Sequence, residues 1–63
     1  MKDNMKQATV EQTIALLGHL KQIGHITIGT LQNGLDFDVM PIIELADKAD
    51  LIDFKGVSIT WNN

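Results

Sequence analysis

The sequence contains no cysteine and no arginine, and it has only one proline, one serine and one tryptophan. Without cysteine no disulfide can stabilise the fold, and zinc sites built on thiolates are excluded. The 63 residues form one domain at most, in the size range where a single hydrophobic core is marginal. Small domains without such cross-links often gain stability by oligomerising, which is a first indication of a partner.

Positive charge is also scarce in this chain. Five scattered lysines stand against eight acidic residues, and the formal net charge is −3. Nucleic-acid-binding domains usually carry a basic stripe, often with arginine reading phosphate or guanine through paired hydrogen bonds. No apolar run approaches the roughly 20 residues of a membrane span, and the polar first residues do not resemble a secretory signal. We therefore expect a cytoplasmic protein with no membrane partner, and the composition argues against nucleic acid.

A first helix is predicted over residues 10–23. Thr9 and Gln12 are spaced as a capping box, in which each side-chain oxygen accepts a hydrogen bond from the other residue's backbone N–H. Gly24 is suited to ending the helix in a left-handed conformation. Apolar side chains cover about half of the helix circumference, more than one buried surface requires. Gly18 interrupts the helix, either as a tolerated weakness or because another backbone approaches it closely.

Residues 25–39 read HITIGTLQNGLDFDV, with apolar and polar residues alternating on both sides of Asn33-Gly34. Asn-Gly is the strongest short signal for a two-residue hairpin turn, because both turn residues need positive φ. Such a turn would pair Ile28 with Val39 and place the apolar side chains of both strands on one face. Turn chemistry and apolar pattern agree, so the sequence predicts an antiparallel hairpin here.

The rest of the chain predicts one more helix and one more strand. Pro41 suits the first turn of a helix, and residues 41–51 carry an apolar stripe at helical spacing. Residues 57–61, VSITW, alternate again and predict a third strand.

The expected fold class is α+β in the order α-β-β-α-β, a small three-stranded antiparallel sheet with two helices packed on one face. A right-handed crossover would place the last strand parallel to the second and antiparallel beside the first, in the sheet order 2-1-3. Residues 1–8 lack periodicity and are expected to form a flexible tail, followed by a single small domain over residues 9–63.

His25, Asp36 and Asp38 are the side chains best suited to a divalent metal ion. In the predicted register they do not converge, so they are expected to be solvated strand residues that discourage edge-to-edge pairing. His19 and His25 are six residues apart, which fits neither a helical zinc site nor a zinc finger. No glycine-rich phosphate loop is present, and the single serine has no activating neighbours. The sequence predicts no catalytic residue, no metal and no cofactor, and therefore a protein that is not an enzyme.

Several apolar residues have no place in the predicted core. Leu31 falls on the polar side of its strand, Ile43 and Leu51 lie off the stripe of the second helix, and Met40 lies at a junction. Single exposed apolar residues are normal, but so many in a short chain, together with the wide apolar arc of the first helix, favour a buried interface. The candidate interface residues are Leu31, Met40, Ile43, Leu51, Leu16 and Ile23.

These features predict a small interaction module that binds itself as a homodimer or small oligomer and possesses an accessory, regulatory or assembly role, as is familiar among phage and mobile-element proteins. Two alternatives remain open. An oligomer could sum its lysines into a nucleic-acid site with Trp61 as a stacking platform, or His25 and the two aspartates could bind a small ligand or metal.

Overall fold

The computed structural model of this protein describes residues 6–62. Its elements are α1 (Val10–Ile23), β1 (His25–Thr27), α2 (Ile28–Gln32), α3 (Met40–Lys48), β2 (Ile52–Lys55) and β3 (Ser58–Trp61). The predicted α+β class and three-stranded antiparallel sheet are confirmed. The predicted element order is wrong, because α2 and a loop replace the second strand and β2 follows α3.

Helix α1 has the predicted bounds, and the predicted residues begin and end it. The Thr9 hydroxyl accepts from the backbone N–H of Gln12 at 3.0 Å, and the Gln12 side chain accepts from the Thr9 N–H at 2.9 Å. Gly24 ends the helix with φ of 81°. Apart from the adjacent backbone of α1 itself, a Cβ added at Gly18 would meet no atom of the described chain within 4 Å, so no other element of residues 6–62 approaches it closely.

The predicted hairpin at Asn33-Gly34 is wrong because the chain turns into a helix after β1. Thr27 caps α2, its hydroxyl accepting from the Thr30 N–H at 3.4 Å and donating to the Thr30 hydroxyl at 2.8 Å. In this helix Ile28 and Leu31 are three residues apart and face inward together, with Leu31 buried. The apolar residue that did not fit the strand pattern therefore fits the helical one.

Asn33 and Gly34 do form a turn, but of a different type. Asn33 has φ −61° and ψ 124° and Gly34 has φ 87°, and the Leu35 N–H donates to the Gln32 carbonyl at 3.1 Å. These angles are those of a type II turn, whereas the tight hairpin turn requires positive φ at both residues. The turn therefore leads away from β1 instead of pairing residues 35–39 with it.

Residues 35–39 obtain their hydrogen bonds elsewhere. The Gln32 side chain donates to the Phe37 carbonyl at 2.8 Å and accepts from the Val39 N–H at 3.0 Å. The Asp38 N–H donates to the Lys6 carbonyl at 2.9 Å, and Lys6 forms an isolated parallel bridge with Phe37. Of the expected tail 1–8, residues 1–5 lie outside the described residues, while Ala8 packs against the core.

Helix α3 is shorter than the predicted 41–51 because a Schellman motif ends it. Asp50 has φ of 63°, the Leu51 N–H donates to the Ala46 carbonyl at 2.9 Å, and the Asp50 N–H donates to the Asp47 carbonyl at 3.1 Å. The helix buries Ile42, Ile43 and Ala46.

The observed hairpin lies between β2 and β3, with Gly56 and Val57 as its two loop residues and Lys55 paired with Ser58. Gly56 has φ of 60°, and positive φ at only the first loop residue is the pattern of a type II′ turn. The sheet order is β1-β3-β2. The predicted order 2-1-3 is therefore wrong, because the last strand and not the first lies in the centre of the sheet. The prediction that the last strand lies antiparallel beside the first is confirmed, since Ile26 pairs with Ile59.

One face of the sheet is apolar and packs against the helices, whereas the other is polar. The apolar side chains of the strands are Ile26, Ile52, Phe54, Ile59 and Trp61, and all join or contact the core. The opposite face carries His25, Thr27, Asp53, Lys55, Ser58 and Thr60. No polar or charged side chain within residues 6–62 is buried, so the core is wholly apolar.

Candidate functional site

Three of the six predicted interface residues lie in the protein's own core. Leu16, Leu31 and Ile43 are buried. The sequence predicts Leu31 and Ile43 at an interface because they have no place in the predicted core, and Leu16 because the apolar arc of the first helix is wide. The observed α2 and α3 place Leu31 and Ile43 in the core. A charge at either residue would unfold the chain and would not specifically dissociate an assembly, so the predicted role is corrected for these three.

The other three predicted residues retain some exposure. Met40 is half-buried at the start of α3, and Ile23 and Leu51 are exposed. Ile23 and Leu51 adjoin the last residues of β3, since the Trp61 N–H donates to the Gly24 carbonyl at 2.7 Å and the Asn62 N–H donates to the Leu51 carbonyl at 2.9 Å.

The most exposed apolar side chains lie on α1 and α3. Val10 is 75% exposed, and Ile14 and Leu45 are each 65% exposed. Val10 and Ile14 are four residues apart and share one side of α1. We call Val10, Ile14 and Leu45 the helical patch. The sequence suggested that the apolar arc of α1 was wider than its contact, but it did not reveal which part would be exposed.

A shallow depression is bordered by residues of α1 and α3. Of the helical patch, Leu45 lines this depression, whereas Val10 and Ile14 do not. The other lining residues are Gln7, Ala8, Thr13, Asp38, Pro41 and Ile42. The depression therefore brings α3 close to Thr13, while Val10 and Ile14 lie elsewhere on the surface of α1.

The charged residues that flank Leu45 are of both signs. Glu44 and Lys48 are exposed on α3. Neither forms an ion pair with another residue between 6 and 62. The ion pair found within that range joins Lys55 and Asp53 at 3.7 Å. Paired acidic and basic groups beside an apolar surface can meet their opposites on a second copy related by two-fold symmetry.

A larger groove opens on the other side of α1, between α1, α2 and the loop that follows α2. Its volume is about 390 Å³. Its apolar lining comes from Ala15, Leu16, Ile26, Leu31, Leu35 and Phe37. We call it the α1–α2 groove. The sequence could not reveal it, because α2 and the following loop were predicted as strands.

The polar residues of the α1–α2 groove are Gln12, His19, Thr30 and Asn33. The Gln12 carbonyl oxygen is used in the capping box, but its amide N–H groups have no partner among residues 6–62. The His19 ring and the Asn33 side chain likewise form no hydrogen bond within the described chain. The groove thus combines an apolar lining with three side chains that can still form hydrogen bonds.

The predicted metal candidates do not meet. His25 lies on the polar face of the sheet, where its Nδ1 is 3.0 Å from the Thr60 hydroxyl. Asp36 is exposed in the loop, and Asp38 accepts from the Met40 N–H at 3.0 Å. Within residues 6–62, no three His, Asp or Glu side chains are close enough together to hold a metal ion.

The residues of the nucleic-acid alternative are also separated. The described lysines fall before α1, near the end of α1, at the end of α3 and at the end of β2: Lys6, Lys21, Lys48 and Lys55. Trp61 is half-buried and packs against the core, which leaves little of its ring for stacking on a base.

Comparisons with protein-family models, with curated proteins and with solved structures give no match to this chain. In the part of the chain that the structure describes, no helix has the length and apolar character needed to cross a membrane.

Proposed function

We propose that this protein is a small protein–protein interaction module that self-associates as a homodimer through the helical patch. Its function would be contact between proteins, in an accessory, regulatory or assembly role, and not catalysis. The observation that carries the proposal is the exposure of three large apolar side chains, Val10, Ile14 and Leu45, on two helices of so small a chain.

Two further observations support a second copy as the partner. Within residues 6–62 the core contains ten buried apolar side chains, a small number for a domain without cysteine. Small domains without cross-links often gain stability by association. The net charge of −3 would repel a second copy, but Glu44 and Lys48 provide both signs beside Leu45. In a two-fold arrangement Glu44 of one protomer can face Lys48 of the other.

The expected effect of a patch mutation on the free energy of dimerisation follows from the apolar surface that dimerisation would bury. Covering a leucine that is about two-thirds exposed contributes roughly 1–2 kcal/mol. Two-fold symmetry places each patch residue in the interface twice. Leu45→Glu should therefore weaken dimerisation by about 2–4 kcal/mol, or roughly 30- to 700-fold in Kd.

The test is light scattering coupled to size exclusion at several protein concentrations. We expect the unmodified protein to have a mass above one chain, and Ile14→Glu and Leu45→Glu to shift it to the monomer without loss of helical circular dichroism. Val57→Glu is the matched control, because Val57 is 60% exposed but lies in the β2–β3 turn, outside the patch.

A folded, monodisperse monomer at high micromolar concentration would contradict the proposal. So would dissociation by Val57→Glu to the same degree as by Leu45→Glu, because the helical patch would then have no special part in the assembly.

A further inference from the structure

We propose that the α1–α2 groove is a binding site for a neutral, largely apolar small molecule that carries one or two hydrogen-bonding groups. This proposal does not depend on self-association, because the groove uses a different side of α1. Ala15, Leu16 and His19 line the groove, whereas Val10 and Ile14 belong to the helical patch.

The size of the groove suits a small molecule. Pockets that bind small ligands commonly measure about 300–1,000 Å³ and are lined mainly by apolar side chains with a few polar groups. The α1–α2 groove measures about 390 Å³ and has that composition. It therefore fits a ligand of two or three rings, at the lower end of the range.

The absence of lysine, aspartate and glutamate from the lining of the groove favours a neutral ligand. An ionised ligand would lose hydration on entering an apolar groove and find no fixed opposite charge to replace it. A neutral molecule avoids that cost.

The polar side chains determine where the ligand's hydrogen-bonding groups would lie. The free amide of Asn33, the ring of His19 and the amide N–H groups of Gln12 can each bond to a ligand. When an apolar ligand displaces water from the groove, these groups need new partners, so a carbonyl, hydroxyl or amine on the ligand is favoured over a pure hydrocarbon.

The experiment compares two fluorescent probes that share one aromatic skeleton. N-phenyl-1-naphthylamine is neutral, and 8-anilino-1-naphthalenesulfonate adds a sulfonate to the same skeleton. At pH 8 we expect the neutral probe to bind the folded protein at least tenfold more tightly than the sulfonate. Amide chemical shifts on adding the neutral probe should change most at residues of the groove, such as Ala15, Leu31 and Leu35.

Ala15→Leu tests the site by filling it. Ala15 is exposed in the middle of α1, where leucine is also a good helix former. We expect this variant to bind the neutral probe at least tenfold more weakly. Gln22→Leu is the control, since Gln22 lies two turns further along the same side of α1, is exposed and is not among the lining residues. It should bind the probe within twofold of the unmodified protein.

Asn33→Ala removes a side chain that has no hydrogen bond within residues 6–62, and we expect it to weaken the neutral probe severalfold. Preferential binding of the sulfonate, equal weakening by Gln22→Leu, or shifts centred on Val10, Ile14 and Leu45 would each overturn the proposal. Failure of Ala15→Leu to bind less tightly would do so as well. If Ala15→Leu dissociates an oligomer and leaves probe binding unchanged, the groove is a contact between copies and the ligand site is refuted. These results are separate from those of the patch variants, which test dimerisation alone.

Discussion

Gln32→Leu should be among the most destabilising changes available at a polar residue of this protein. The Gln32 amide donates to the Phe37 carbonyl at 2.8 Å and accepts from the Val39 N–H at 3.0 Å. Through these two bonds a side chain takes the place of a neighbouring strand for residues 37–39. Without it, part of the loop that supplies Phe37 and Val39 to the core has no anchor.

The cost can be estimated from the two bonds. Each intramolecular hydrogen bond contributes about 0.5–1.5 kcal/mol net, and a buried donor left without a partner costs about 1–3 kcal/mol. Val39 is 0% exposed, so water does not readily replace the lost acceptor. We expect Gln32→Leu to lower the free energy of unfolding by about 2–4 kcal/mol. At roughly 0.05–0.15 kcal/mol per residue, a chain of this length has only about 3–9 kcal/mol in total.

Urea denaturation followed by circular dichroism measures this change directly, and a melting curve should show a fall of roughly 10–25 °C. Gln22→Leu makes the same chemical change at an exposed residue of α1 and should stay within about 0.5 kcal/mol of the unmodified protein. If Gln32→Leu costs less than about 1 kcal/mol, the loop is held by its apolar side chains alone and the role given to the Gln32 amide is refuted.

Two stabilising changes are also expected, both measured by thermal denaturation. Gly18→Ala should raise the free energy of unfolding by about 1 kcal/mol, because the site is inside α1 and, apart from the adjacent helix backbone, a Cβ meets no atom of residues 6–62 within 4 Å. An unchanged or lower melting temperature would mean that something outside the described chain occupies that space. Asp50→Gly should add on the order of 1 kcal/mol, because Asp50 holds φ of 63° and glycine adopts this conformation without steric cost. Asp53→Gly, in β2, is its control and should instead destabilise, since glycine weakens a strand; equal effects of the two changes would refute the conformational explanation for Asp50.

Helix α1 was predictable from sequence because its determinants are local. The capping pair Thr9 and Gln12 and the terminal Gly24 act within a few residues of the backbone they control. The pairing of the last strand with the first was also predictable, because β3 has a clear alternation and one apolar face.

The second strand was misplaced because two turn signals compete in this sequence. Asn33-Gly34 is compatible with a hairpin turn and with a type II turn, and only the second leaves Leu31 buried. The hairpin that forms instead has Gly56 and Val57 as its loop residues. Ile52 and Phe54 alternate before this turn, but the strand that they form is only four residues long and follows the predicted helix 41–51 directly, so its pattern merges with the end of that helix.

The candidate site was less predictable than the fold class. A helical wheel gives the width of the apolar arc on α1, but which residues remain exposed depends on the neighbours. Val10 and Ile14 are exposed while Leu16 and Leu20 are buried. The α1–α2 groove depends on α2 and on the loop held by Gln32, and neither was foreseen from the sequence.

The central position of β3 in the sheet has a consequence for how this protein acquires its structure. Both outer strands are paired with β3 alone. In the pairing of β1 with β3, His25 lies opposite Thr60, which is 35 positions later in the chain. Neither outer strand can complete its ladder until residues 58–61 are in place, and such distant contacts slow folding because a long loop must close first. A chain shortened before Ser58 would keep the helical signals of its first half but have no sheet on which to assemble them.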